Sequence, residues 1–412
     1  MFTLIVILAL LLLAVAIAAA FDLIPMWKDW FGRIHIGRMP REPWTEAVTK
    51  TAASWLRRTP TIPLTDNNRL IVIDMLRGNY RRASIQHWQE AALLLGAAEY
   101  LSRRDDADVR AAVSRYLART FDADGGWRQA PRHVDAAILA YAVMKLPGID
   151  LDRYKGALDD VRTMIEEHVG EDGTATYRKG MTAYRYVDTV GFICPFLVAY
   201  GIRYGHAASV NLALTQLTEY ERYGLSTQLG IPCHAYRVDT KAPLGLYGWG
   251  RGLGWYAIGL ADAWRELSQA HPAKPALTAS VVRFAKAASS FQRPDGRWNW
   301  TVTRPEAIPD SSATATLSWF MLQASDIPEL AEAALESAEA GLRYLMKATR
   351  RDGSVDYAQG DTKDIGVYSS RFGILPFAQG FAVRCAHRYE AIRSGTGRKT
   401  EEVSRREVPH AG

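Results

Sequence analysis

The chain has little cysteine. Only three occur in 412 residues, and Cys194, Cys233 and Cys385 lie so far apart and odd in number that a disulfide framework is excluded. There is no CxxC pair and no HExxH, so neither a structural-zinc nor a zincin pattern is present. Concentrated charge of one sign is missing as well. The net charge of +6 is spread over isolated Lys and Arg, which leaves no nucleic-acid footprint. Long runs of alternating apolar and polar residues are absent, apart from short pieces near turns. Disorder is excluded for the bulk of the chain, because 48% of residues are hydrophobic and 23% charged, an ordinary globular balance.

Charge is also absent from the first segment, 2–21, whose centre reads Leu4-Ile-Val-Ile-Leu-Ala-Leu-Leu-Leu-Leu-Ala14. About 20 apolar residues is the length a helix needs to cross a bilayer. A cleaved signal peptide is the competing reading, with Ala18-Ala19-Ala20 as its peptidase site. Such peptides carry a basic segment first and a shorter apolar core, and no Lys or Arg precedes this run. The expectation is therefore a retained anchor over 1–24 and a linker over 25–41. Lys28, Arg33, Arg38 and Arg41 follow the run, and basic flanks stay cytoplasmic. Trp27, Trp30 and Phe31 suit the membrane–water interface.

From 42 to 393 the chain reads as helix after helix. Apolar residues recur at three- and four-residue spacing in 88–101, 136–146, 154–168, 192–204, 255–267, 277–291, 313–322 and 331–346. About a dozen such stretches are joined by Gly, Pro and Asp. The turns repeat: Asp124-Gly-Gly-Trp127, Asp172-Gly-Thr-Ala-Thr-Tyr177, Asp295-Gly-Arg-Trp298 and Asp352-Gly-Ser-Val-Asp-Tyr357. Their Asp-Gly pairs are 48, 123 and 57 residues apart, and the long gap holds one unit without the signature. Asp-Gly tolerates a left-handed turn, and a period near 50–60 residues of helical hairpin predicts a toroid of stacked hairpins. Six hairpins closed into an (α/α)6 barrel account for a dozen helices. The helix N-termini after each turn then gather at one mouth. The polar tail 394–412 reads as disordered.

Five segments bring chemistry to that mouth. Arg132-His133-Val134-Asp135 and Tyr186-Val187-Asp188 each put an Asp at a helix start, where the ordinary role is an N-cap accepting backbone N–H bonds. Pro232-Cys233-His234-Ala235-Tyr236 lies on a loop or short strand. Tyr247-Gly-Trp249-Gly-Arg251-Gly-Leu253-Gly-Trp255 alternates glycine with aromatics and one Arg. Such glycines let backbone approach a ligand, and Trp faces stack on sugar rings. Asp310-Ser311-Ser312 opens another helix.

Together these segments resemble the unsaturated glycuronyl hydrolases, especially the unsaturated rhamnogalacturonyl hydrolases of glycoside hydrolase family 105 and the related family 88. The likeness is carried by Val187-Asp-Thr189 with Pro195-Phe-Leu197, by Cys233-His-Ala235, and by Trp249-Gly-Arg-Gly-Leu-Gly-Trp255. Weaker matches are His133-Val-Asp135, Gln292-x-x-Asp-Gly-x-Trp298 and Ser311-Ser-Ala313. The Gln292 turn also fits terpene-cyclase-like barrels, but the DxDD run that these need is absent. The resemblance implies hydrolysis of an oligosaccharide or polysaccharide end bearing a 4,5-unsaturated uronic acid, with no metal or organic cofactor. It implies Asp188 as general acid/base, Asp135 as partner carboxylate, and His234, Trp249, Arg251, Trp255, His133, Tyr186 and Ser312 as substrate-binding residues. Leu253 stands where the family has Asn, which implies altered loop anchoring or an altered subsite. A non-catalytic or altered relative that serves polysaccharide biosynthesis or binding at a membrane is the alternative that the anchor and Leu253 leave open.

Overall fold

The computed structural model describes residues 1–67, 69–79 and 82–395. In chain order its helices are α1 (Phe2–Arg33), α2 (Arg41–Arg57), α3 (Ile71–Leu76), α4 (His87–Leu101), α5 (Ala107–Thr120), α6 (Ala136–Met144) and α7 (Lys155–Glu166). They continue as α8 (Val187–Tyr204), α9 (Ala207–Gly224), α10 (Gly250–Glu266), α11 (Lys274–Ser290), α12 (Ser311–Ala324), α13 (Ala331–Lys347) and α14 (Pro376–Arg393). The tail expected to be disordered lies, from 396 onward, outside the described residues.

Two kinds of helix alternate, and their sequences say why. Helix α7 is apolar on one face only, burying Ala157, Leu158, Val161, Met164 and Ile165. That i, i+1, i+4, i+7, i+8 pattern marks a helix with one side in water. Helix α12 buries every residue it has, so it needs packing partners all round. The fold meets both demands with two rings. Inner helices pack in the order α4, α6, α8, α10, α12 and α14, and α14 returns to α4, closing the ring. Helices α2, α5, α7, α9, α11 and α13 lie outside. This is the six-hairpin architecture expected from the repeat.

Outer helices α5, α7, α11 and α13 each reach their inner successor through a connection that holds a tight Asp-Gly turn. Gly125, Gly173, Gly296 and Gly353 of the four Asp-Gly pairs have φ of +85°, +74°, +92° and +83°, a region that L side chains avoid. A Cβ on Gly296 would lie 2.0 Å from the Ala340 carbonyl oxygen, and one on Gly353 2.4 Å from that of Ala47. The last turn thus tucks against α2, the first outer helix, and ties the end of the ring to its start. Two connections lack an Asp-Gly pair, α2–α4 and α9–α10. In the second, Leu225 bridges Pro232 around Gly230, at φ +65°.

Short strands line the mouth. β1 (Thr61–Pro63) pairs with β2 (Arg82–Ser84), and α3 lies between them in the chain. β3 (Tyr184–Tyr186), β4 (Ala235–Arg237) and β5 (Pro243–Leu244) form a three-stranded sheet that feeds directly into α8. β6 (Ala358–Gln359) pairs with β7 (Phe372–Gly373). The loop between β6 and β7 lies over the mouth.

Helix α1 buries none of its residues and is long and apolar enough to cross a membrane. It does not end at residue 24. Residues 25–33, expected as linker, continue the helix because its polar end is docked. Arg33 donates to Asp356 at 2.7 and 3.0 Å, and Arg350 donates to Asp29 at 3.0 Å.

Candidate active site

Asp135 and Asp188 both stand at the mouth, yet neither does what an N-cap does. No side-chain cap bond is made by Asp135 at the start of α6, and Asp188 is already the second residue of α8. Asp310 shows the contrast: its Oδ1 accepts from the Ser312 amide at 2.8 Å and caps α12.

Asp188 is held by β3 running into α8. Its side chain keeps 14% exposure, while Oδ2 is enclosed and meets no donor among the described residues. Burial and the nearby Asp361 carboxylate push its pKa up to about 7, against the pull of Arg251. The neighbouring His234 lies 3.8 Å away from Nε2 to Oδ2, beyond hydrogen-bond reach. Burial and then the Arg251 guanidinium press that imidazole down to about 4, so it is neutral and gives Asp188 no counter-charge. Tyr186 sets its ring edge-on to His234, with centroids 5.6 Å apart.

Asp135 is also buried, and burial raises its pKa against the pull of His87, Arg178 and His133. A third carboxylate completes the group. Asp361, on the β6–β7 loop, accepts from the Gln86 amide at 3.1 Å. Burial raises its pKa, and Asp135 raises it further. The Tyr177 phenol feels Asp188, Asp135 and Asp361 together. Arg178 bears on both Asp135 and Asp188 and lies over the Tyr177 ring at 4.1 Å. Three acids, one half-buried guanidinium and one tyrosine therefore share the mouth, with exposed His133 at its rim.

Sequence reasoning missed Asp361, Arg178, Tyr177 and His87. Tyr177 and Arg178 follow directly on the second Asp-Gly turn, whose position at the mouth was the available signal. Asp361 carried none, being one Asp in a polar loop.

The glycine-rich segment does something other than expected. Its glycines admit neighbouring protein, not a ligand. A Cβ on Gly250 would lie 2.4 Å from the Asn299 carbonyl oxygen, and one on Gly254 2.2 Å from Thr316 Oγ1. Helix α10 consequently begins at Gly250, not near Trp255. Trp255 is a correction: it is 1% exposed and packs against Phe192, Phe377 and Trp88, with no free face for a sugar. Trp249 is as deeply buried, and its Nε1 donates to Gln359 Oε1 at 2.9 Å. Ser312 is enclosed, its hydroxyl donating to Asp310 Oδ1 at 2.7 Å. Leu253 belongs to the continuous apolar core. Trp300 and Tyr368, ring centroids 5.8 Å apart, are only half-buried.

Arg251 is likewise committed to the protein. It donates to the Gln359 carbonyl at 2.6 Å, the Gly360 carbonyl at 2.8 Å and the Thr362 hydroxyl at 3.1 Å. Those residues flank Asp361, so Arg251 clamps the loop that presents the third carboxylate. Arg251→Met leaves these acceptors without their charged donor, and misplacement by about 1 Å lowers turnover roughly 100-fold. Arg251→Lys does not restore it, because one ammonium cannot span the fork. Steady-state kinetics with hydrogen exchange of 359–373 checks this: kcat falls and loop amides lose protection together.

Comparison with known proteins decides the family. The model of Glycosyl Hydrolase Family 88 matches residues 66–372, well over half of the chain. The chain belongs to that family. As a family 88 protein it is a glycoside hydrolase. A possible family 105 member from Salmonella enterica serovar Paratyphi A has a TM-score of 0.72 at 16% identity, over 86% of this chain and 95% of that one. An unsaturated glucuronyl hydrolase specific for heparin gives 0.66 at 14%, covering 86% and 98%. The unsaturated glucuronyl hydrolase of Bacillus sp. GL1, responsible for glycosaminoglycan degradation, gives 0.61 at 17%, covering 85% and 96%. At these identities the structures show a shared fold. No curated protein sequence matches this family 88 chain.

Proposed function

We propose that this family 88 enzyme hydrates the C4=C5 bond of a 4,5-unsaturated uronic acid at the non-reducing end of an oligosaccharide, with Asp188 as general acid and base. The observation that carries this reading is the Asp188 carboxyl, whose enclosed Oδ2 meets no donor among the described residues and whose pKa stands near 7. An acid poised there is protonated enough to give a proton and basic enough to recover one.

The C4=C5 bond is an enol ether. Protonation at C4 by Asp188 places an oxocarbenium centre at C5. The carboxylate then takes a proton from water as its oxygen bonds to C5. The resulting hemiketal opens to a ketone at C5, and the hemiacetal left at C1 expels the remaining sugar. Asp135 supplies a second carboxylate to hold a sugar hydroxyl, and neutral His234 and Tyr186 border the same ring. His133 reaches the substrate from the rim. Trp249 and Arg251 serve by positioning the β6–β7 loop.

The substrate carboxylate needs a cation, and Arg178 is the half-buried guanidinium facing the acids. A charge-assisted pair contributes about 1.5–3 kcal/mol, so Arg178→Ala raises KM roughly 10- to 100-fold. The defect vanishes with the methyl ester of the same uronate, which carries no charge. Loss of the enol-ether ultraviolet absorbance measures both. Rate against pH tests the acid: it declines about tenfold per unit above pH 7 as Asp188 loses its proton. A rate unchanged to pH 9 would remove Asp188 from that role.

Helix α1 is read as a retained anchor. Its apolar run is the length of a hydrocarbon layer, and the basic residues Lys28, Arg33, Arg38 and Arg41 behind it support a cytoplasmic barrel.

A further inference from the structure

Helix α3 is short, and its side chains are on the wrong side for a soluble protein. Leu70 is 64% exposed and Leu76 83%, with Ile73 and Met75 also in the open. Leu70 moreover holds φ at +53°, a left-handed conformation that L side chains rarely adopt. An apolar residue held in strain with its side chain in water calls for a partner.

The position of α3 says which partner. It packs against α1, and the Asp22 carboxylate of α1 accepts the Leu70 and Ile71 amides, the latter at 2.9 Å. Asp22 follows directly on the apolar run 2–21, which at ~1.5 Å per residue spans about 30 Å, one hydrocarbon layer. Helix α3 is therefore fixed at the depth where hydrocarbon gives way to headgroups. Its apolar residues are flanked by Arg69 and Arg77, with Lys28 on α1, all three exposed. An apolar strip edged with basic groups is the composition that seats in a bilayer interface bearing anionic lipids.

The same elements are bonded to the catalytic mouth. Asp66, five residues before Ile71, accepts from Lys363 at 2.7 Å and from the Ser369 hydroxyl at 2.5 Å. Both donors lie on the β6–β7 loop that carries Asp361. Arg33 of α1 donates to the Phe372 carbonyl at the end of that loop. The anchor, α3 and the active-site loop form one connected unit.

We infer that α3 is a second membrane-contacting element, which seats in the interface beside α1 and holds the mouth of the barrel against the bilayer surface. The inference rests on the anchor reading of α1. Its partner is the lipid interface of the membrane that α1 enters.

The test uses the full chain in vesicles of phosphatidylcholine and phosphatidylglycerol, with one introduced cysteine at a time carrying an environment-sensitive fluorophore. The native cysteines are buried, and Leu76 is exposed enough for Leu76→Cys to leave no cavity. Leu10→Cys reports on the anchor, and Asp150→Cys, exposed in the α6–α7 connection at the far end of the barrel, is the control. Brominated acyl chains are expected to lower the fluorescence of both the Leu10→Cys and Leu76→Cys labels roughly twofold and to leave that of Asp150→Cys unchanged. Quenching at Leu10→Cys without quenching at Leu76→Cys overturns the inference and spares the anchor. Quenching at neither overturns both. Ile73→Cys, read the same way, guards against a local defect at the helix end.

Discussion

Replacing Asp188 by Asn is expected to slow the loss of the enol-ether chromophore about 10³-fold while making the protein more stable at neutral and alkaline pH. The two effects share one cause. The side chain is enclosed, its Oδ2 has no donor among the described residues, and its pKa is raised from 3.8 to about 7. In the unfolded chain the carboxyl ionises near its ordinary value, while in the folded protein it keeps its proton to near 7. Between those values the native state binds the extra proton, so wild-type stability falls as pH rises. Asn cannot ionise and escapes that loss. The stabilisation by Asp188→Asn is therefore absent below about pH 4, grows through the interval, and is complete above about pH 7. Thermal melts of both proteins across this range check it. An Asn variant less stable than wild type at pH 8 would mean that Asp188 is an ordinary structural carboxylate.

The second large effect is on stability alone. Arg384 of α14 donates to Asp262 of α10 at 2.8 and 3.3 Å. Trp319 of α12 donates to the same carboxylate at 2.9 Å, and the guanidinium lies 3.6 Å from the centre of its ring. Three inner helices thus meet at one buried ion pair. Asp262→Ala leaves an uncompensated guanidinium in the core, which costs about 3–5 kcal/mol. Replacing both partners, as in Asp262→Leu with Arg384→Met, removes the stranded charge and restores much of that loss. Denaturant unfolding of the single and double variants separates the cases. A double variant as unstable as the single would show that the loss is one of packing, not of charge.

Much of the scaffold was legible because its rules are local. One-sided periodicity marked outer helices such as α7, and the Asp-Gly pairs marked turns whose glycines all take positive φ. Asp135 and Asp188 were legible through their repeat positions at helix starts. Other features depend on which helix lies beside which. The glycines of 250–254 read as a ligand-binding loop because close approach to a sugar and close approach to Asn299 or Thr316 demand the same absence of Cβ. Trp255 read as a stacking wall because an aromatic in the sequence does not reveal its neighbours, here Phe192 and Phe377. Asp361 became visible only when the β6–β7 loop folded back over the mouth. Arg251 reads from the sequence as a substrate-binding residue because its three protein acceptors lie more than one hundred residues away in the chain.

The claim at the centre of the account is that bond cleavage begins by protonating a double bond, not an anomeric oxygen. The most direct measurement offers the full-length protein two disaccharides of identical linkage, one ending in a 4,5-unsaturated uronic acid and one in the saturated uronic acid, and follows release of the second sugar. Release is expected from the unsaturated disaccharide in step with loss of its ultraviolet absorbance, and none from the saturated one. Cleavage of both at similar rates, or release with the chromophore intact, would contradict it.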